Sequence, residues 1–177
     1  MKNLFNLYQS QLKTAVIAMG LGLLVWMPVH AMDNPFRDLV DTEGSPSPLS
    51  DTFGSGKWTL VMIWSTDCHL CEEQKPKISA FFDKHKSGNI DVFGIALDGR
   101  KNLDDVQDYL KKNQPTFPNY VGEFPIVAAN YQALTEEPLR GTPTYLLFNP
   151  EGELKGNNPG PVSPAAIEGF IERHSAK

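Results

Sequence analysis

Apolar residues follow two patterns along this chain, continuous runs and helical faces. Continuous runs are typical of strands buried on both faces of a sheet. They occupy Trp58 to Trp64, Asn89 to Asp98, and Thr144 to Phe148. Apolar residues spaced three and four positions apart predict helices instead. These helices cover about Cys68–Lys84, Leu103–Asn113 and Ile126–Leu134, and a last helix begins at Pro164.

The order of these elements predicts an α/β protein with a mixed sheet covered on both faces. The first two strands are expected to be parallel, because a helix joins them. After the turn at residues 149–152, residues 153–155 are expected to return as a partner strand, followed by irregular chain over 157–161. The segment 117–121 is expected to be short and extended, and residues 32–50 form an extended N-terminal segment with a short hairpin around Gly44.

Two local features of the first helix follow from residue type. Pro76 lies inside the helical pattern and is predicted to kink it. Thr66 or Asp67 is predicted to cap its start, because short polar side chains bond the free N–H groups there.

The N-terminal segment has the pattern of a secretory signal peptide. Lys2 and Lys13 are basic, and an apolar stretch then runs to Met27 before any acidic residue appears. The sequence predicts a signal peptide over residues 1–31, cleaved after Ala31, and one domain over residues 32–177. An uncleaved anchor is the alternative, although the apolar stretch is shorter than the roughly 20 residues that a membrane span needs.

Charge narrows the range of partners. The predicted mature chain has 14 basic and 21 acidic residues, a net charge of −7. This argues against binding to nucleic acid or to an anionic membrane surface. We also expect no stable membrane insertion once the signal peptide is removed.

The only two cysteines, Cys68 and Cys71, form a Cys-x-x-Cys pair between a predicted strand and a predicted helix. This arrangement is typical of thiol redox chemistry. The helix N-terminus stabilises a thiolate at Cys68, the expected attacking thiol, and Cys71 would resolve the mixed disulfide. A disulfide between them closes too short a loop to stabilise the fold much, so a structural role is a weak explanation.

The order of motifs resembles the thioredoxin superfamily, specifically the TlpA/ResA-like exported thiol–disulfide oxidoreductases. The resemblance rests on Leu49-Ser50-Asp51, Gly56-Lys57-Trp58, Trp64, the two cysteines, Pro76, residues 94–98, Phe117-Pro118, Gly141 to Thr144, and residues 149–152. It implies a thioredoxin-like fold, a central mixed β-sheet flanked by helices, with an inserted strand-helix unit and an N-terminal extension.

The resemblance also implies a substrate face. It makes Thr142-Pro143 a cis peptide beside the cysteines, with backbone near Thr142 that pairs with an extended substrate segment. Trp64 and Leu70 are expected to face the substrate as well. The chain departs from the family at Asp67, where many relatives have Trp or Thr. It also departs at Met62 and Gln74, which replace carboxylates, so no proton acceptor is assigned to Cys71.

Asp67 and His69 flank Cys68 and are predicted to tune its reduction potential in opposite directions. A protonated His69 would stabilise the Cys68 thiolate, whereas the negative charge of Asp67 would disfavour it. The plain alternatives are that Asp67 caps the helix and that His69 is solvated.

These features predict a protein-disulfide reductase that acts on exported substrates, for example apocytochrome c, and is recharged by a membrane thiol-electron donor. No cofactor and no metal site are expected. Three alternatives stay open: a disulfide oxidase or isomerase, a Cu(I) chaperone that uses both cysteines, and a thiol peroxidase.

Overall fold

The computed structural model describes residues 35–175. The predicted signal peptide and its cleavage site lie outside this range. Within it, none of the helices combines the length and the apolar character needed to cross a membrane. Strands and α-helices follow in the order β1 (Trp58–Trp64), α1 (His69–His85), β2 (Ile90–Ala96), α2 (Leu103–Asn113), β3 (Asn119–Val121), α3 (Phe124–Thr135), β4 (Thr144–Phe148), β5 (Leu154–Pro159) and α4 (Pro164–Ser175).

The strands form one mixed sheet in the order β3-β2-β1-β4-β5. β1 and β2 are parallel, as predicted, and β3 continues the parallel part. β4 and β5 are antiparallel to their neighbours. Every residue of β1 is buried, because β1 is central and helices cover both sides of the sheet. The α/β prediction is therefore confirmed.

The two faces of the sheet have separate apolar cores. Side chains from α1, α2 and α4 pack on one face, represented by Ile78, Val106 and Ile167. Val127 and Tyr131 of α3 pack on the other face, together with buried side chains of the N-terminal segment. The disulfide-bearing helix thus shares its core with α2 and α4.

The N-terminal segment forms the expected hairpin and also extends the sheet. Val40 pairs with Pro46 across the turn that contains Gly44. Val40 also exchanges two backbone hydrogen bonds with Val121, its N–H donating at 3.0 Å and its carbonyl accepting at 2.8 Å. The segment therefore covers the outer edge of β3.

Two local predictions are wrong. The chain over 157–159 is not irregular but forms the second half of β5. The residues of β5 are alternately half-buried and exposed, so the strand has no continuous run of apolar residues. The N-cap of α1 is Cys68 rather than Thr66 or Asp67, because the Cys68 Sγ itself accepts the backbone N–H of Cys71.

The helix α1 continues through Pro76, which lacks the N–H that would bond the carbonyl of Glu72.

Candidate active site

The two cysteines form a disulfide at the start of α1, directly after the carboxyl end of β1. Their Cα atoms lie 5.2 Å apart. β1 is fully buried and central, so it fixes the position of the loop over residues 65–67 and of the helix start that follows. The redox pair thus follows the central, fully buried strand of the sheet.

The two cysteines differ in exposure. Cys68 is half-buried, whereas Cys71 is 0% exposed. The backbone N–H of Cys71 donates to the Cys68 Sγ at 3.1 Å. The same N–H also donates to the Cys68 carbonyl at 3.1 Å. N–H groups in the first turn of a helix stabilise negative charge on a sulfur placed there. Cys68 is therefore the sulfur that an incoming thiol or disulfide can reach.

The side chains next to Cys68 point away from it. The Asp67 carboxylate accepts a hydrogen bond from the Ser65 hydroxyl at 2.6 Å, so it stabilises the loop and not the helix start. The His69 side chain is 81% exposed, and its Nε2 lies 3.3 Å from a carboxylate oxygen of Glu73. Neither side chain is hydrogen-bonded to Cys68 among the described residues, so their tuning roles stay predictions.

The loop before β4 lies against the active-site loop. Thr142-Pro143 is a cis peptide, as the resemblance implies. The hydroxyls of Ser65 and Thr142 are 3.4 Å apart and share a hydrogen bond. Within residues 35–175, the backbone of Thr142 forms no hydrogen bond with another backbone group. The Pro143 carbonyl, by contrast, accepts the N–H of Gly160 at 2.8 Å. Leu70, at 45% exposed, is an apolar side chain open to solvent beside the disulfide.

Trp64 does not face the substrate in this structure. Its side chain is 0% exposed, and its Nε1 donates to Oδ1 of Asn119 at 3.0 Å. The Tyr109 ring packs against it at a centroid distance of 5.0 Å. The prediction for Trp64 is wrong because side chains of α2 and β3 cover the indole.

The Gln74 side chain is buried and accepts two hydrogen bonds. Its Oε1 accepts the Tyr145 hydroxyl at 3.3 Å and the N–H of Val162 at 3.2 Å. Burial raises the pKa of Tyr145, so the phenol stays protonated and remains a donor. Gln74 therefore has a structural role under the disulfide.

Lys75 was missed by the sequence reasoning and is the most unusual residue near the site. It is 1% exposed. Its Nζ lies 3.3 Å from the centroid of the Trp64 ring, 4.6 Å from that of Tyr109, and 3.5 Å from the Tyr109 hydroxyl. Burial lowers the pKa of Lys75 from 10.5 to about 7, an effect that Asp98 and Glu72 oppose. The helical spacing of Cys71, Lys75 and Ile78 was the available signal, because it places them on one face.

Asp98 connects the end of β2 to the active-site loop. Its Oδ1 accepts the backbone N–H of Thr66 at 3.2 Å and also accepts the Thr66 hydroxyl. Its Oδ2 is buried and has no hydrogen-bond partner among the described residues. The Asp98 side chain thus anchors the loop that leads to Cys68.

A disulfide that spans the first turn of a helix, next to a cis-proline loop on a sheet of this topology, defines the class of protein: thiol–disulfide oxidoreductases with a thioredoxin-like fold. The chain belongs to the AhpC/TSA family, whose model matches residues 31–156.

Known proteins of the same class are similar to this chain. Sporulation thiol-disulfide oxidoreductase A of Bacillus subtilis (strain 168) is 24% identical over 165 residues, which cover 89% of this chain and 94% of that protein. Thiol-disulfide oxidoreductase ResA of Halalkalibacterium halodurans is 23% identical over 134 residues, covering 76% of this chain and 70% of that protein.

Solved structures share the fold. A thioredoxin-family thiol:disulfide interchange protein from Chlorobium tepidum TLS matches with a TM-score of 0.63 and 22% identity, over 76% of this chain and 89% of that one. StoA from Bacillus subtilis matches with a TM-score of 0.59 and 20% identity, over 77% of this chain and 98% of that one.

Proposed function

We propose that this chain is an exported protein-disulfide reductase in which Cys68 attacks the substrate and Cys71 resolves the intermediate. The difference in exposure between the two cysteines is the observation that carries this assignment. A buried sulfur cannot meet a disulfide on another protein, whereas a half-buried sulfur at a helix N-terminus can meet it and is stabilised as a thiolate.

The reaction is a sequence of two exchanges. In the reduced protein the Cys68 thiolate attacks one sulfur of a substrate disulfide, forms a mixed disulfide and displaces the other substrate sulfur as a thiolate. Cys71, as a thiolate, then attacks the Cys68 sulfur and displaces the remaining substrate thiolate. The Cys68–Cys71 disulfide is the product, and two electrons have passed to the substrate, whose sulfurs take protons from water.

Two neighbouring features support recognition of an extended substrate segment. The Thr142 backbone lies outside β4 and is available for strand-like pairing next to the disulfide. Leu70 supplies an exposed apolar side chain in the same region, whereas Pro143 is buried and contributes through the shape of the loop that holds Thr142. Backbone pairing of this type is tolerant of sequence, which suits an enzyme that acts on several proteins.

Export and electron supply complete the proposal. The pattern of residues 1–31 supports export with cleavage after Ala31. A reductase outside the cytoplasm needs a source of electrons, and a membrane thiol donor is the class of partner that can supply it. Apocytochrome c cysteines are one candidate substrate, suggested by the resemblance to ResA-like proteins.

The direction of electron flow is tested by the reduction potential. The potential of the Cys68–Cys71 pair would be measured in a glutathione or dithiothreitol series, with insulin reduction as the activity. A value near about −270 mV supports a reductase, and a value near about −120 mV identifies an oxidase instead. A Cys68→Ser variant that still exchanged disulfides would contradict the assignment of the attacking thiol.

Substrates and export are tested in the producing cell. A Cys71→Ser variant is expected to hold its substrates as mixed disulfides that dithiothreitol releases, with a variant lacking both cysteines as control. Mass spectrometry of the purified protein is expected to show Met32 as the first residue. Stoichiometric Cu(I) binding without disulfide turnover would favour the chaperone alternative.

A further inference from the structure

Lys75 follows Cys71 by one helical turn on the buried face of α1. Cys71 is 0% and Lys75 is 1% exposed, and Ile78, one further turn along, is 0% exposed. Residues four apart on a helix have their Cβ atoms roughly 5–6 Å apart. The only buried lysine in the described part of the chain therefore shares one face of α1 with the resolving thiol, one turn away from it.

The Lys75 amine has no carboxylate within ion-pairing distance in residues 35–175, and aromatic rings hold it instead. Its Nζ lies over Trp64 and near Tyr109, contacts that favour the ammonium form without fixing it. The titratable groups that face it are Glu72 on its own helix, Asp98 after β2, and Tyr109 on α2. The Glu72 carboxylate lies 3.6 Å from the Nζ of Lys112. It therefore compensates the charge of Lys75 only in part.

We propose that Lys75 is the charge partner of Cys71, and that a proton lost by the Cys71 thiol is balanced by a proton gained by the Lys75 amine. This inference rests on the proposed function, in which Cys71 must become a thiolate to resolve the mixed disulfide. A lone thiolate or a lone ammonium is costly in an apolar core, whereas thiol plus amine and thiolate plus ammonium both have no net charge.

Lys75 would serve Cys71 in a site where no carboxylate is assigned as its proton acceptor. Cys71 loses its thiol proton as the Lys75 amine takes one up, and the thiolate then attacks the Cys68 sulfur. The Cys68–substrate bond breaks, and the substrate sulfur leaves with the electron pair. Lys75 returns its proton to solvent once the thiolate has been consumed. Burial, which places the pKa of Lys75 at about 7, makes both amine forms accessible near neutral pH.

The direct test titrates Cys71 alone. In a Cys68→Ser background, Cys71 is the only thiol, and the ultraviolet absorbance of its thiolate is followed against pH. Adding Lys75→Met is expected to raise the pKa of Cys71 by about one unit or more, which means at least tenfold less thiolate at a given pH below it. Lys75→Arg keeps a positive charge and is expected to leave the thiolate favoured. Lys77→Met, an exposed lysine of the same helix, is expected to change nothing.

A kinetic test uses the protein with both cysteines. A coloured aromatic thiol is coupled to Cys68, and its release by Cys71 is expected to be about tenfold slower in Lys75→Met at neutral pH. Attack by Cys68, measured in a Cys71→Ser background, is expected to be unchanged. Equal Cys71 titrations in Lys75→Met and its parent, or a Lys75→Arg variant that behaves like Lys75→Met, would overturn the inference.

These readouts separate the two proposals. If the chain reduced no protein disulfide, the proposed function would fail, yet the Cys71 titration would still report whether Lys75 is its charge partner. Near-ultraviolet circular dichroism checks that each variant retains its packed core.

Discussion

The Tyr145 hydroxyl donates to Oε1 of Gln74 at 3.3 Å and thereby joins β4 to the helix that carries the disulfide. The same oxygen accepts the N–H of Val162, which lies before α4. One amide oxygen thus ties together three parts of the fold beneath the redox pair. The Tyr145–Gln74 bond is buried and the Val162–Gln74 bond is partly buried, so the loss of that oxygen leaves two donors without their partner.

We therefore expect Gln74→Leu to destabilise the oxidised protein by about 1–3 kcal/mol per donor left unpaired. Urea unfolding at equilibrium measures this change. Tyr145→Phe is the matched control, because it removes one donor and leaves Gln74 bonded to Val162, so its cost should be clearly smaller. Equal costs for the two variants would show that the oxygen does not join these elements.

Gly94 gives a second test, on the support of Trp64. A Cβ at Gly94 would overlap the Asn119 side chain, whose Oδ1 accepts the Trp64 indole. We expect Gly94→Ala to destabilise the protein by about 1–3 kcal/mol and to change the indole fluorescence. Gly156→Ala is the control in another strand, where the added Cβ would meet Phe170 at an ordinary contact distance of 3.5 Å. A larger effect at Gly156 would contradict this description.

Lys75 makes stability depend on pH with a defined sign. Its pKa in the folded protein, about 7, is lower than the ordinary value of 10.5, so the unfolded chain binds this proton more tightly. The stability of the wild-type protein should therefore rise between about pH 7 and pH 10.5. Lys75→Met removes this dependence, and its stability advantage over the wild type should be largest below pH 7 and shrink as pH rises. An advantage that grows with pH would have the wrong sign.

Asp67 is predicted to influence the reduction potential more than His69 does. Its carboxylate precedes Cys68 directly, whereas His69 is turned towards Glu73. Asp67→Asn should raise the potential by about 20 mV or less, since an exposed charge contributes no more than about 1 kcal/mol. His69→Ala should lower it by less, and both changes should shrink at high salt. A larger shift for His69→Ala would reverse the order of the two residues.

The sequence predicts the fold well where burial leaves an apolar pattern. β1 and β4 are read from their runs because both of their faces are covered. β5 is missed in part because it is half-exposed, and its Gly156, Asn157 and Asn158 resemble a loop. The Cys-x-x-Cys pair is found because its chemistry is local in sequence.

The surroundings of the pair could not be predicted in the same way, because they come from distant elements. Trp64 is buried by Tyr109 of α2 and Asn119 of β3, and no local pattern places these residues against the indole. The burial of Lys75 could not be predicted for a different reason. Lysine is rarely buried, so residue type outweighs the helical spacing that assigns it to the core.

The pairing of Val40 with Val121 joins the N-terminal segment to a strand that comes much later in the chain. Val40 is synthesised early, but its partner strand is completed only after β1, α1, β2 and α2 have been made. Contacts between distant parts of a chain form late, because the intervening loop must close first. We therefore expect the N-terminal segment to dock late in folding, and the edge of β3 to stay open to pairing with another chain until then.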